Sequence, residues 1–371
     1  MRAPLVEWPV AKAPEIDIDP PGMRARREAA LELATMPDDP WTFAESLAAP
    51  AAAATVDKAR CGSDQRPQVD EAAVGSGAEA TLSKPAGLGY LAATGRLDSA
   101  LRSSSDSFDR QVADWMNLGG ALAPGARAEV LAQRAATTSD PRVYALAYRA
   151  CQGLSPEVAA ATPSQSGASC ASLTARRWIE LDPGNGIPWL FVYRQASESG
   201  DATAQQEALA QMASSSRFQD RMHAAAGAIA AHASHDDDDL AADYDLSVRA
   251  FQMAAGQFDP INPLLEACGD KAAGDANRAQ QCQAISDVMF DHGDNLLLHA
   301  FGGILFFHAT GDSSRRESIR AERVVMAKHW SPATGFSECA TIRDGLKSMV
   351  RSAQIGELEA MRERARVFVT P

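Results

Sequence analysis

One stretch in the middle of the chain, Cys170 to Met212, constrains the fold most, because it combines helix-forming sequence with explicit stop signals. Its first part has apolar residues at helical spacing and ends in Leu-Asp-Pro-Gly-Asn, residues 181–185. Proline cannot continue a helix, and glycine tolerates a left-handed backbone. A second apolar helix follows, and Gly200 with Asp201 supplies an end cap and then a start cap. The stretch therefore predicts a helix, a tight turn and a helical hairpin.

The same residues resemble the junction between two tetratricopeptide repeats. In that family a helix ends in a proline and an aromatic-led helix begins six residues later, as at Pro183 and Trp189. The hairpin turn falls at Gly200, whereas Tyr193 departs from the small residue that the family prefers at a close helix crossing. The resemblance covers about residues 170–213 and implies an array of helical hairpins that binds other proteins on a concave surface. A generic alanine-rich bundle is the alternative.

A self-similarity along the chain indicates that this unit is duplicated. A helix ending in Cys151 is followed by a loop and by Cys170 at the start of a helix, and Cys268 and Cys282 stand in the same order. The second cysteine precedes a Gly-Asp pair by 30 residues in one copy and 29 in the other. We therefore expect two disulfides, Cys151–Cys170 and Cys268–Cys282, each joining two antiparallel helices. The alternative is free buried thiols, since cysteine is an ordinary core residue.

The expected disulfides also lead to a prediction of location. Closing the loop between Cys151 and Cys170 is worth roughly 3 kcal/mol in the chain-entropy model, and such bonds persist in oxidising compartments. We therefore expect a periplasmic or cell-envelope protein, with the cytoplasm as the alternative. The first 22 residues lack the apolar run of a secretory signal, although a chain from which a signal had been removed would look the same. The pairing of Cys61 and Cys339 is left open.

Composition and charge narrow the class of function. Alanine is the commonest residue and β-branched residues are sparse, which favours an all-α fold. The net charge of −13 argues against nucleic-acid binding and against docking on anionic lipid. The chain has no apolar run long enough for a bilayer, so we expect no transmembrane segment in it.

The chain divides into two parts by composition. Residues 1–96 are predicted to form an N-terminal arm with short helices and a long connection rich in Ala, Gly, Ser and Pro. From residue 97 the pattern becomes mostly helical. We therefore expect an α-helical, repeat-like domain over 97–371, arranged as a tetratricopeptide-like hairpin array or an irregular α-solenoid.

Motifs for catalysis, cofactors and metals give no strong signal. The signatures GxSxG, HExxH and GxxxxGK[ST] are absent, so we expect no cofactor. His232 and His235, followed by Asp236–Asp239, form the most metal-like run, but a solvated acidic loop is the favoured interpretation. Asp294 lies in the polar turn before the second apolar helix, where Asp commonly caps a helix. A catalytic role for that turn is the alternative.

Three aromatic residues are candidates for a binding groove: Trp178, Trp189 and Tyr193. Aromatic anchors dominate many interfaces, although packing in the core is the more common use in helical arrays. The hairpins, the duplicated cysteines and the missing motifs favour a non-catalytic scaffold or adaptor for a protein or peptide in the bacterial cell envelope. The alternatives are a hydrolase in a helical fold, because paired carboxylates have no fixed spacing, or a protein that neutralises a toxin or effector. Clustered, perturbed carboxylates in a deep pocket would count against the scaffold.

Overall fold

The computed structural model describes residues 88–120, 122–153, 168–234, 237–256, 261–269, 272, 274–319, 322 and 339–369, all within the compact unit Ala51–Pro371. The regular elements in these ranges are all α-helices, beside two isolated bridges, so the prediction of an all-α fold is confirmed for them. The helices are α1 (Leu88–Ser103), α2 (Ser107–Met116), α3 (Pro124–Ala135), α4 (Pro141–Gln152), α5 (Ala168–Ser172), α6 (Ala175–Leu181), α7 (Ile187–Ser199), α8 (Ala202–Ala213), α9 (Met222–Ala231), α10 (Asp237–Gly256), α11 (Asn262–Cys268), α12 (Ala276–His292), α13 (Leu296–Thr310), α14 (Cys339–Ile355) and α15 (Glu357–Val369). Residues 314–319 are helical as well. Of the helices described, none is both long and apolar enough to cross a membrane.

Helix α1 runs through the position where composition placed the domain boundary. The predicted boundary between residues 96 and 97 falls inside this helix. Its buried stripe has helical spacing and consists of Ala93, Leu97 and Leu101. This stripe packs against α2 and α10, so α1 belongs to the helical domain. Residues 1–87 of the predicted arm lie outside the described residues, and so do Cys61 and the side chain of Cys339.

The tight turn of the central stretch forms as its signals predict. Helix α6 ends at Leu181, and Gly184 takes a φ of 79°, a left-handed conformation that suits glycine. Helix α7 then begins at Ile187, with Pro188 in its first turn, where its missing N–H leaves no bond unmade. Only the turn 182–186 therefore separates α6 from α7, and the two helices contact each other.

Gly-Asp pairs end one helix and start the next in both of the similar segments. Gly200 closes α7 with a φ of 70°, and the Asp201 carboxylate then accepts a backbone N–H at the start of α8. Gly311 closes α13 with a φ of 73°, and Asp312 accepts a backbone N–H at the start of the helical residues 314–319. These caps satisfy backbone groups that helix ends leave without an intrahelical partner. The predicted end cap and start cap at Gly200 and Asp201 are confirmed.

The helices pack in two adjoining groups. In the first, α3 packs on α4, α4 on α6, α6 on α7, α7 on α8, α8 on α12 and α12 on α13. In the second, α9 packs against α2, α10 and α14, and α10 also contacts α1. One large hydrophobic core runs through the first group and into the second, and a smaller cluster around Leu240, Ile342 and Leu346 joins α9, α10 and α14.

Both predicted cysteine pairs lie at disulfide distance. The Sγ atoms of Cys151 and Cys170 are 2.00 Å apart, and those of Cys268 and Cys282 are 2.03 Å apart. The first pair joins the end of α4 to α5, and the second joins the end of α11 to α12. Each pair therefore connects a helix before a loop to a helix after it, as predicted. Bridges of this kind persist in oxidising compartments.

Helix α9 crosses α14 at a close contact that Gly227 makes possible. A Cβ at this position would lie 2.2 Å from the Cβ of Ala353 and 3.1 Å from the carbonyl oxygen of Met349. We expect Gly227→Ala to lower the free energy of unfolding by about 1–3 kcal/mol, as overpacking does. Combining it with Ala353→Gly should recover part of the loss. Urea unfolding followed by circular dichroism measures both effects.

The matched control for this substitution is Gly95→Ala in α1. A Cβ at Gly95 would meet no atom within 4 Å, so the added methyl group has open space. The control should stabilise the protein by up to about 1 kcal/mol, because alanine favours the helix. Equal effects of the two substitutions would contradict a close crossing at Gly227.

Candidate functional site

A network of polar contacts lies where three loops of the first helix group and α9 meet. The turn 182–186 precedes α7, the loop 215–221 connects α8 to α9, and the turn 293–295 precedes α13. Isolated parallel bridges join the loop 215–221, which we call the middle loop, to both turns. We call these loops the polar junction, together with three side chains that contact them: Arg149, His223 and Glu357.

Asn185 ties the first turn to the middle loop. Its Oδ1 accepts hydrogen bonds from the backbone N–H groups of Ile187 at 3.1 Å and Gln219 at 3.0 Å. Its Nδ2 donates to the Asp182 carboxylate and to the Gln219 carbonyl oxygen, each at 2.9 Å. All four hydrogen-bonding positions of this buried amide are therefore used. Asn185 orders the loops and has no position left for a ligand.

Asp182 is the negative charge of the first turn. Its carboxylate lies 2.5 Å from an Nη of Arg217 and 3.3 Å from an Nη of Arg221. Burial alone would raise the pKa of Asp182, but the hydrogen bond from Asn185 and the charges of the two arginines hold it below its ordinary value. This carboxylate therefore stays ionised and anchors two positive side chains of the middle loop.

Asp294 holds the middle loop from the other side. Its Oδ1 accepts the backbone N–H of Asp220 at 3.0 Å, and its Oδ2 accepts the backbone N–H of Arg221 at 2.8 Å. The Asn295 amide also donates to Oδ1, at 3.0 Å. Withdrawal from water raises the pKa of Asp294 to about 6, although the N–H of Arg221 and the nearby positive charges oppose the rise. Asp294 therefore gains a proton at mildly acidic pH.

A buried ion pair connects α4 to the middle loop. The side chains of Arg149 and Asp220 are 5% and 0% exposed, and the guanidinium donates to both the carboxylate and the carbonyl oxygen of Asp220. The guanidinium also lies over the ring of Trp178, 5.5 Å from its centroid. Burial lowers the pKa of Arg149 to about 10, so the guanidinium remains charged at neutral pH.

His223 and Glu357 join α9 to the start of α15 and complete the junction. The Nε2 of His223 lies 3.2 Å from Oε2 of Glu357, and the same oxygen accepts the backbone N–H of Leu296 at 2.9 Å. The His223 ring stacks on Phe251 with 4.6 Å between centroids. Burial acts to lower the pKa of His223, but Glu357 outweighs it and raises this pKa. Burial likewise acts to raise the pKa of Glu357, but His223 holds this pKa below its ordinary value.

The His223–Glu357 pair predicts a pH-dependent contribution to stability. Because the pKa of His223 is raised, its contribution is complete below the ordinary histidine value of 6.5 and is lost as pH rises through the raised pKa. Because the pKa of Glu357 is lowered, its contribution is complete above 4.5 and is lost as pH falls through the lowered pKa. We expect Glu357→Gln to lower the free energy of unfolding by roughly 1.5–3 kcal/mol between pH 4.5 and pH 6.5. Above pH 6.5 the loss should become progressively smaller as His223 loses its proton.

Urea unfolding of the wild type and of Glu357→Gln across pH 4 to 9, in steps of roughly one unit, measures this difference. Subtracting the two curves removes most of the titration of Asp294, which both proteins retain. Glu207→Gln is the matched control, since its exposed pair with Arg176 contributes little at any pH. A loss of stability that is constant over the whole range would contradict an ionised pair.

The predicted groove residues lie mostly in the core. Trp178 is 0% exposed and packs with Tyr148 and Phe191, at centroid distances of 5.8 and 5.7 Å. Tyr193 is buried as well, whereas Trp189 is partly buried and keeps some exposed surface. Trp178 therefore supports the Arg149–Asp220 pair from inside the fold, and Trp189 alone of the three retains an outward-facing part.

Of the metal-like run, the structure describes the side chain of His232. The Nε2 of His232 lies 2.9 Å from the Asp109 carboxylate of α2. Residues 235 and 236 and the side chains of 237–239 lie outside the described residues. Among the residues that the structure describes, no group of three or more His, Cys, Asp and Glu side chains could hold a metal ion.

Two of the turns at the junction are visible in the sequence, but the side chains that join them are not. Arg149, Glu357 and the neighbouring pair Asp220 and His223 come from three distant parts of the chain, and no motif spacing connects them. The feature of the sequence that indicates the junction is the pair of polar turns, each with an asparagine and an aspartate before an apolar helix.

Comparison with known proteins identifies no family, since no family model, no curated protein and no solved structure matches the chain. Asn185, Asp294 and Glu357 all accept backbone N–H groups, which is how buried polar side chains order loops. Asp294, His223 and Glu357 also form a cluster of groups with perturbed pKa values, which is a common property of acid–base sites.

Proposed function

We propose that the protein is a non-catalytic scaffold or adaptor of the bacterial cell envelope that binds a protein or peptide. The observation that carries the proposal is the polar junction, whose buried groups hold the turns of successive helix pairs together. A row of rigidly joined helix pairs is what an extended binding surface requires. In this proposal α6–α8 and α12–α13 form a tetratricopeptide-like array. The two cysteine pairs support an oxidising compartment.

The proposed partner surface is a row of polar side chains across α6, α8 and α12. Arg176 of α6 lies 3.4 Å from the Glu207 carboxylate of α8, and Gln206 of α8 donates to Gln281 of α12 at 3.2 Å. Arg176, Gln206 and Glu207 are exposed. A polar row over three helices suits a hydrophilic protein surface or peptide, because its hydrogen bonds with water can be exchanged for bonds with a partner.

Site-specific photo-crosslinking tests this surface. A photoreactive residue at position 206 should give a discrete adduct in an envelope extract of the native host, and an excess of the unmodified protein should abolish the adduct. The same residue at exposed position 103 in α1 is the matched control and should give no such adduct. Equal labelling at the two positions would contradict the proposed surface. One recovered partner would favour a neutralising protein, and several would favour an adaptor.

A hydrolase is the second candidate, because perturbed acids cluster at the junction. Asp294, with a pKa of about 6, and the His223–Glu357 pair are groups suited to acid–base chemistry. The test is a turnover screen with glycans, peptides and esters, using the wild type and a folded Asp294→Asn variant. Saturable turnover that is lost in the variant would establish the hydrolase and overturn the scaffold. Absence of turnover together with a competed adduct at position 206 would support the scaffold.

A further inference from the structure

We propose that α5 is a redox-controlled latch, which the Cys151–Cys170 bridge holds against α3 and which a dithiol releases while the rest of the protein stays folded. The proposal concerns α3 and α5 and does not involve the side chains of the polar row, and it applies whether the protein is a scaffold or a hydrolase. Four features of the described residues support it: the unequal exposure of the two bridges, the weak packing of α5, the buried carboxylate beneath it, and the firm attachment of the chain that follows.

The two bridges differ in their exposure to a reductant. Cys268 and Cys282 are completely buried in the large core. Cys151 and Cys170 are only partly buried and lie at the edge of the same core. Thiol–disulfide exchange requires a thiolate to reach a sulfur atom of the bridge, so access sets its rate. A soluble dithiol therefore reaches the first bridge and is excluded from the second.

Among the described residues, few contacts besides the bridge hold helix α5 in place. It has five residues, none of them buried, and a helix this short has no stability of its own. It packs against α3, where the backbone N–H of Ser169 donates to Oε1 of Glu129 at 3.2 Å. The Sγ of Cys151 lies 3.8 Å from the carbonyl oxygen of Ala128, which places the bridge itself on α3. The bridge is thus the main attachment of α5.

The Glu129 carboxylate, which lies under α5, favours the release of this helix. Glu129 is 7% exposed, and its Oε2 has no hydrogen-bond partner among the described residues. Its Oε1 accepts the N–H of Ser169 and a longer contact of 3.5 Å from the Gln133 amide. Burying a carboxylate with incomplete hydrogen bonding costs free energy, which is recovered when water returns. Moving α5 away rehydrates Glu129, and the bridge prevents this movement.

The chain after α5 is attached firmly, which limits the release. The Tyr144 hydroxyl of α4 donates to the carbonyl oxygen of Thr174 at 3.1 Å and accepts its backbone N–H at 2.9 Å. Leu173 is buried, and Trp178 follows in the core. Because these contacts do not involve the bridge, α6 and the polar junction keep their places when α5 leaves.

The release step is a two-electron exchange. One thiolate of the dithiol attacks a sulfur of the Cys151–Cys170 bridge, breaks the S–S bond and forms a mixed disulfide. The second thiol of the reductant then attacks the mixed disulfide and leaves as part of a cyclic disulfide. The reductant loses two electrons and two protons, and Cys151 and Cys170 become two thiols. An oxidant of the thiol–disulfide class restores the bridge by the reverse exchange.

Graded reduction of the whole folded protein tests the latch. The protein is treated with dithiothreitol, quenched with iodoacetamide at intervals and digested, and mass spectrometry follows labelling of each cysteine. We expect Cys151 and Cys170 to be labelled at least about tenfold faster than Cys268 and Cys282. The far-UV circular dichroism should stay nearly unchanged while the first pair is labelled.

Hydrogen exchange shows what reduction releases. In the selectively reduced protein, amides of residues 168–172 should exchange at least about tenfold faster, whereas those of 175–181 should keep their protection. The variant Glu129→Gln retains an acceptor for Ser169 but removes the buried charge, so after reduction its α5 amides should exchange more slowly than those of the reduced wild type. Cys151→Ser with Cys170→Ser should reproduce the exchange of the reduced wild type.

Three results would overturn the proposal. Labelling of the two pairs at equal rates would show that exposure does not separate them. Loss of helical signal in step with labelling of Cys151 would show that the bridge supports the whole fold. Unchanged exchange of residues 168–172 after reduction would show that contacts with α3 hold α5 without the bridge. The measurements on the wild type decide the question even where a variant does not fold.

Discussion

Replacing Arg149 by methionine is expected to lower the free energy of unfolding by about 3–5 kcal/mol. The reason is that the carboxylate of Asp220 is then buried without a charge partner. Asp220 is completely enclosed, so water cannot replace the guanidinium without opening the junction. The same substitution removes the hydrogen bond to the Asp220 carbonyl oxygen and the contact with Trp178. Urea unfolding at neutral pH, followed by circular dichroism, measures the loss.

A double-mutant cycle separates the ion pair from the packing. Asp220→Leu alone should also destabilise strongly, since it leaves Arg149 charged and buried. The double substitution Arg149→Met with Asp220→Leu should recover much of the loss, because two apolar side chains leave no unpaired charge. Arg176→Met is the matched control at an exposed pair and should cost about 0–1 kcal/mol. Additive losses in the double variant would contradict coupling between Arg149 and Asp220.

Replacing Phe218 by alanine is expected to cost about 3–5 kcal/mol, because its completely buried ring is the apolar centre of the middle loop. The ring packs directly on Gly186, where a Cβ would lie 2.2 Å from its Cζ atom. The backbone of Phe218 also donates to His292 and accepts from Asp294, so loss of the ring leaves a cavity beside the bridge between the loops. Urea unfolding and thermal unfolding both report the cost.

Gly186→Ala tests the same contact from the other side. In the wild-type background the added methyl group should destabilise by about 1–3 kcal/mol through overpacking. In a Phe218→Leu background the smaller side chain makes room for the methyl group, so the same substitution should cost clearly less. An unchanged cost in the two backgrounds would show that Gly186 is required for some reason other than the ring of Phe218.

The local elements of this fold could be predicted because their signals act over a few residues. Pro183 and Gly184 form the turn, Gly200 and Asp201 cap the helices on either side of them, and the apolar spacing gives the helices themselves. The cysteine pairs were predictable for a different reason, since the two cysteines of each pair stand on either side of a loop between predicted helices. The tetratricopeptide-like array stays a prediction.

The candidate site could be predicted only in part. Its polar turns are visible in the sequence, but a turn that caps a helix and a turn that also binds a neighbouring loop have the same residues. Asp294 illustrates the difference, because it was expected as a helix cap and instead accepts the backbone N–H groups of Asp220 and Arg221. Trp178 shows why groove residues are hard to predict from sequence. This side chain is buried, and helical spacing cannot tell a core face from a groove face.

The sequence by itself determined the all-α class, the central turn and the helix caps, because propensity, capping and proline act locally along the backbone. The tertiary structure alone decided which polar residues meet. Arg149 and Asp220 are 71 residues apart, and Leu296 and Glu357 are 61 residues apart, so only helix packing brings them into hydrogen-bonding distance. Burial and neighbouring charges then shift the pKa values of Arg149 and Glu357, because the surroundings of a titratable group are a property of the folded chain and not of its neighbours in sequence.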